Sequence, residues 1–133
     1  MAARLDAVPR DPDPRVELED ATPEYDERGR SMLRMTAADP PNTWHAVARI
    51  DGQFAGRAWV HGDGSTAGIY DMEVWPDFRR SGLGSAILAA LARVALAAGY
   101  HWAVLNATPA GERLYSARGF RRIGHGATWW LHR

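Results

Sequence analysis

The chain has 133 residues, a hydrophobic fraction of 46%, no cysteine and a formal net charge of zero. That length suits one globular domain, which would bury roughly two thirds of its unfolded surface. Without cysteine, disulfides, thiolate zinc sites and a cysteine nucleophile are excluded. No apolar run approaches a membrane span, and Met1 to Pro14 lacks the apolar centre of a secretory signal, so a cytoplasmic protein is the expectation.

The neutral total conceals two unlike halves. Residues 1–74 carry eight arginines against fourteen carboxylates, and residues 75–133 carry eight arginines against two. A basic half suits a polyanionic cofactor, and an acidic half suits a cationic acceptor such as an amine. The neutral sum argues against a general nucleic-acid binder.

In chain order, residues 1–14 hold Pro9, Pro12 and Pro14 among Asp and Arg and suggest a mobile tail. Arg15 to Glu19 alternates Val16 and Leu18 with acids and suggests a short first strand. Thr22-Pro23 is a helix start, a hydroxyl cap followed by proline at the first helical position. That helix should stop before Pro40-Pro41. Trp44 to Ile50 alternates apolar and polar residues, Asp51-Gly52 is a hairpin turn, and Phe54 to His61 returns as the next strand. Gly62-Asp63-Gly64-Ser65 is a second turn, leading to a strand over Ala67 to Val74.

Next comes Val74-Trp75-Pro76-Asp77-Phe78-Arg79-Arg80-Ser81-Gly82-Leu83-Gly84-Ser85. It joins a strand end to an amphipathic helix over Ala86 to Ala98, whose apolar stripe is Ile87, Leu88, Leu91, Val94, Ala95 and Ala98. A glycine-rich bend at a helix start aims unpaired backbone N–H groups and the positive end of the helix dipole at one point, where an anion such as phosphate belongs. The chain contains no lysine, so this is not a Walker loop, and position 87 is Ile, so the third glycine of a dinucleotide fingerprint is missing. Trp102 to Asn106 then reads as a buried strand. Thr108-Pro109 starts a helix running to about Arg118 and closed by Gly119. Phe120 to Ile123 and Thr128 to His132 suggest a last hairpin around Gly124-His125-Gly126. Trp129-Trp130 puts two rings on opposite faces of one strand, one of them a candidate homodimer contact.

The spacing Arg79-x-x-Gly82-x-Gly84, preceded by Val74-x-Pro76, resembles the pyrophosphate-binding motif of the GNAT superfamily of N-acetyltransferases, which use acetyl-CoA. Downstream, Leu114-Tyr115-Ser116-Ala117-Arg118-Gly119-Phe120 resembles the same family's Leu-Tyr-x-x-x-Gly-Phe signature. The resemblance covers Ile69 to Arg122. It implies an α+β, three-layer fold with a mixed, mostly antiparallel central sheet and flanking helices. Two parallel strands, the fourth and fifth of the family's sheet, would splay apart, here Ile69–Val74 and Trp102–Asn106. One domain over 15–133 would follow, with a shortened N-terminal acceptor region.

The family's roles transfer by position. Arg79, Arg80, Ser81, Gly82, Leu83, Gly84 and Ser85 match the loop that holds the CoA diphosphate. The main chain around Met72 and Val74 matches the strand that pairs with the pantetheine arm, and an N–H near Val74 matches the donor to the thioester oxygen. Tyr115 matches the general acid for the departing thiolate. Where many members have an asparagine ahead of that tyrosine, this chain has Thr108, with Asn106 two residues earlier as a substitute. Glu73, and after it Asp71, are candidate bases for the attacking amine; they alternate with Met72, so both are expected on one side of the strand. His45, His61 and His101 are rivals for that role. These residues imply acetyl transfer from acetyl-CoA to a small-molecule or peptide primary amine by direct attack in a ternary complex, without metal or membrane. The rival readings are a non-catalytic acyl-CoA sensor or subunit of the same fold and a nucleic-acid-directed protein using the basic half.

Overall fold

The structure is a computed structural model, and it describes residues 1–19 and 41–124. Among these residues six strands form one sheet: β1 (Ala2–Arg4), β2 (Val16–Leu18), β3 (Thr43–Ile50), β4 (Gln53–Asp63), β5 (Thr66–Val74) and β6 (Trp102–Val104). Their order across the sheet is β1-β6-β5-β4-β3-β2. Every neighbouring pair is antiparallel except β5 and β6, which run parallel. The mixed, mostly antiparallel sheet expected from the sequence is therefore present. Among the described residues two α-helices accompany it, α1 (Leu83–Ala97) and α2 (Pro109–Ala117).

The meander from β3 to β5 follows from local turn chemistry. Asp51 and Gly52 both have positive φ, 50° and 79°, which is what a two-residue turn matched to strand twist demands. The second turn is tighter than expected. β4 runs on to Asp63 and only Gly64-Ser65 are left to turn, with Gly64 at φ 62°.

Helix α1 starts at Leu83, three residues before the expected Ala86, and its N-cap is Gly82. It lies against β4, β3, β2 and β5 and against the 3-10 turn Leu5–Ala7. Because it is covered on more than one side, Ala86, Ala89, Ala90 and Ala92 are buried together with Leu83, Ile87, Leu88, Leu91 and Ala95. Of the expected stripe, Val94 is only half-buried and Ala98 is exposed. The sheet residues beneath are small: Ala46 opposes Ala58 across β3 and β4, and both are fully buried. Each fully buried Leu or Ile on α1 contributes about 1.5–3 kcal/mol of hydrophobic stabilisation. The sheet's other face is buried at its centre too, where His45 stacks on Trp59 at 3.9 Å between ring centroids.

Three expectations need correction. Residues 1–14 are not a tail. Ala2–Arg4 adds an antiparallel edge to β6, and Ala3, Leu5 and Val8 are buried, with Leu5 N–H bonded to the His101 carbonyl at 2.9 Å. Strand β6 ends at Val104 rather than Asn106, because β5 stops pairing with it after Gly68. Phe120 to Ile123 is no strand; Arg121 makes a single bridge to Ala2, since β1 already occupies the edge beside β6. The helix expected from Thr22-Pro23, Thr128 to His132 and the paired tryptophans Trp129 and Trp130 lie outside the described residues.

Candidate active site

The site begins with a flaw in β5. Trp59 pairs with Tyr70 and Arg57 with Glu73, so one residue of β4, Ala58, faces two of β5, Asp71 and Met72. Asp71 absorbs the extra residue at φ 55°, a left-handed conformation that Asp tolerates better than most side chains. The bulge corrects the expected alternation. Tyr70 and Glu73 pair with Trp59 and Arg57, two residues apart on β4, so Glu73 shares the face of Tyr70 rather than that of Asp71.

Beyond Gly68 and Val104, β5 and β6 part; the chain after β6 leaves β5, with Leu105 hydrogen-bonded to Met1 instead, its N–H to the Met1 carbonyl at 3.0 Å and its carbonyl to the Met1 amino group at 2.7 Å. A cleft of about 290 Å³ opens between the separated strands and α2. Ile69, Asp71 and Met72 line it from β5, Leu105 and Asn106 from the chain after β6, and Thr108, Gly111, Leu114 and Tyr115 from the α2 side. The splayed pair inferred from the family resemblance is thus realised. The Asp71 bulge that lies beside it on β5 has no signal in the sequence.

Helix α2 is held at its start by Thr108, whose Oγ1 accepts a hydrogen bond from Gly111 N–H at 3.1 Å, the cap expected of Thr-Pro. One lone pair of the hydroxyl is thus used by the helix. Tyr115 is 6% exposed and meets Phe120 edge-on at 5.8 Å. Burial pushes its phenol above its ordinary pKa, so the ring enters the cleft as a neutral hydroxyl able to donate a proton. Gly111 is closely packed: a Cβ there would lie 3.2 Å from the Tyr115 ring and 3.3 Å from Thr108 Oγ1, so a side chain would make one of them shift.

Glu73 is not among the residues lining the cleft. Its carboxylate is exposed, 4.0 Å from Arg57 Nε. Of the two carboxylates singled out from sequence, Asp71 is the one that lines the same cleft as Tyr115. His45 is buried on the sheet, and burial, with the Arg57 charge second, lowers its pKa to about 4. His61 is bonded through Nδ1 to Thr43 Oγ1 at 2.7 Å. Neither histidine lines the cleft, nor does His101.

The loop after β5 makes a 3-10 turn over Pro76–Phe78 and enters α1 through Arg80 at φ 63° and Gly82 at φ 78°. No side chain caps α1, so the first-turn amides keep their donors for something outside the helix. Three carbonyls of this segment are held by side chains. Arg79 Nε donates to the Val74 carbonyl at 3.1 Å, the Ser81 hydroxyl donates to the Phe78 carbonyl, and Arg15 Nη1 donates to the Ser81 carbonyl at 2.9 Å. A cradle that presents N–H groups while its C=O groups are engaged elsewhere suits an anion. Leu83 is buried under the loop as packing, while Arg80, Ser81 and Gly82 are exposed. Gly84 ties loop to cleft: a Cβ there would sit 3.0 Å from Leu114 Cδ2, so a side chain at this position would push on the Leu114 methyl. No group of acidic or histidine side chains suited to a metal ion occurs among the described residues.

Residues 8–120 match the model of the acetyltransferase (GNAT) family, so the chain belongs to that family and is an acyltransferase by class. Solved structures share its fold at low identity. One, an acetyltransferase named AAC(6')-Iy bound to the bisubstrate analogue CoA-S-monomethyl-acetylneamine, is 18% identical with a TM-score of 0.68, over 89% of this chain and 97% of that one. Glucosamine-6-phosphate N-acetyltransferase from Arabidopsis thaliana is 16% identical with a TM-score of 0.69, over 84% and 83% of the two chains. A Trypanosoma brucei acetyltransferase is 19% identical with a TM-score of 0.68, over 87% and 99%. Comparison with curated proteins gives no match.

Proposed function

We propose that the protein transfers an acetyl group from acetyl-CoA to a primary amine by direct attack in a ternary complex. The observation that carries this reading is the continuity of two features. An anion cradle of α1 amides meets, through the Gly84–Leu114 contact, a cleft holding a neutral buried tyrosine and a carboxylate.

Acetyl-CoA supplies the activated acetyl group. The chain's own residues do the rest. The amides of Gly82, Leu83, Gly84 and Ser85 hold the diphosphate with the dipole of α1 behind them. The edge of β5 around Met72 to Val74, the Val74 carbonyl excepted because Arg79 Nε holds it, offers backbone groups to the pantetheine amides, as an added strand would. Asn106, at the mouth between β5 and α2, adds a side-chain amide to that run. Tyr115 Oη donates to the departing sulfur, which needs a proton source at neutral pH. Asp71 takes the base role, directly or through water, in preference to Glu73, because it shares the cleft with Tyr115. With no cysteine, a thiol-borne acyl-enzyme is excluded, which favours direct transfer.

The acceptor is proposed as a small, soluble amine. Structural relatives include an aminoglycoside N-acetyltransferase and the glucosamine-6-phosphate enzyme, and the acidic N-terminal half of this chain suits a cation. Among the described residues no helix is long and apolar enough to cross a membrane. The test is release of CoA thiol from acetyl-CoA in the presence of an amine panel. Amine-dependent release supports the transferase. CoA binding with no release for any amine would reassign the protein as an acyl-CoA-binding module.

A further inference from the structure

Arg15 stands at the edge of the sheet, far in sequence from the diphosphate loop. Its main-chain carbonyl accepts a hydrogen bond from Arg49 N–H at 2.9 Å, which extends the β2–β3 pairing by one residue. Its guanidinium is gripped by Asp13: Nη2 meets Oδ2 at 2.7 Å, Nε meets Oδ1 at 3.0 Å, and the Arg15 N–H reaches the same Oδ1 at 2.9 Å. So held, Nη1 donates to the Ser81 carbonyl at 2.9 Å. A Cβ built on Gly82 would lie 3.9 Å from Nη2, so the guanidinium lies alongside the Ser81–Gly82 peptide.

In a trans peptide the C=O of one residue and the N–H of the next lie in one plane and point in opposite directions. A donor that fixes the Ser81 carbonyl therefore also fixes the direction of the Gly82 N–H, turning it away from Arg15 toward the open side of the loop. We propose that Arg15, braced by Asp13, is a positioning residue for the diphosphate cradle: it orients the Ser81–Gly82 peptide so that its N–H faces the phosphates. The role is geometric. Asp13 already balances the charge of Arg15, and that guanidinium keeps the one loop carbonyl nearest the helix start from turning toward an anion. This inference rests on the acetyl-CoA reading above.

The experiment compares two donors. CoA carries the diphosphate, and S-acetylpantetheine lacks it. Arg15→Met keeps the aliphatic stem and removes the donor. It is expected to weaken CoA binding, measured by calorimetry, by about tenfold, the worth of one anchoring hydrogen bond from a charged donor. Binding of S-acetylpantetheine, followed by ligand-observed NMR, should not change. Arg15→Lys, which retains a donor, should recover most of the loss, and Asp13→Ala, which frees the guanidinium, should show part of it. Equal weakening toward both donors would mean that Arg15 only supports the fold and would overturn the proposal. So would CoA affinity unchanged in Arg15→Met while the wild type binds CoA. A wild type that binds no CoA would refute the transferase reading first, and the positioning role with it.

Discussion

Replacing Gly82 with Asp separates the electrostatics of the loop from its geometry. Gly82 sits at φ 78° with nothing nearer to a new Cβ than Arg15 Nη2 at 3.9 Å, so a side chain fits in space and the cost is backbone strain. For a non-glycine residue in the left-handed region that strain is about 1 kcal/mol, least for Asn and Asp. In a domain of this size it corresponds to a fall in Tm of roughly 3–6 °C. The effect on a bound diphosphate is larger. A carboxylate about 4–6 Å from a phosphate charge, at an effective dielectric near 20, repels it by about 3–4 kcal/mol, which is on the order of a hundred- to a thousandfold in Kd. The neutral, equally shaped Gly82→Asn carries the same strain without the charge and should lose only a few-fold. Calorimetric titration of both variants with CoA at low and high salt measures the difference, which should shrink as salt screens it. Equal affinities for Asp and Asn at low salt would refute the claim that the α1 start holds the diphosphate.

The other expectations concern chemistry and acid stability. Tyr115→Phe should lower kcat by about 10- to 100-fold with little change in CoA affinity. Because burial raises the phenol's pKa, no alkaline fall in rate below pH 9 belongs to it; full activity in the variant would remove Tyr115 from the reaction. Asp71→Asn should flatten the acidic limb of the rate profile whereas Glu73→Gln should not, and the reverse outcome would return the base role to Glu73. His45 gives a signed stability prediction. Unfolded, its imidazole titrates near 6.5; folded, near 4. The unfolded chain therefore binds more protons between those values, so stability is complete above pH 6.5 and falls as pH drops toward 4, by about 3 kcal/mol in all. His45→Phe, which can keep the stack on Trp59, should lessen that acid loss in urea melts at pH 4.5 and 7.5; an unchanged loss would place its origin elsewhere.

Much of this molecule was written locally in the chain. Asp51-Gly52 specifies its turn because only a few residue types accept two positive φ angles in succession. Thr108-Pro109 specifies the start of α2 because a hydroxyl can satisfy an amide that proline's neighbours leave open. The two glycine-bearing segments, around Gly82 and around Tyr115, were legible as a family resemblance, and the family match over residues 8–120 bears that out. These signals depend on a few adjacent residues, and adjacent residues are what a sequence displays.

What the sequence did not reveal depends on register and on distant partners. Asp71 looks like any polar residue in an alternating strand; only the β4 register opposite Ala58 exposes the bulge that leaves Glu73 on the face of Tyr70 and outside the cleft. Ala2–Arg4 has too little pattern to announce a strand, and becomes one because β6 has a free edge for it. Arg15 and Ser81 lie 66 residues apart, and no local preference links them. Composition and short motifs determined most of the turns, helix starts and strands of the meander, and the family to which they belong. Packing decided which side chains share a cleft, because contacts between residues remote in sequence exist only after the sheet has closed its hydrogen bonds around them.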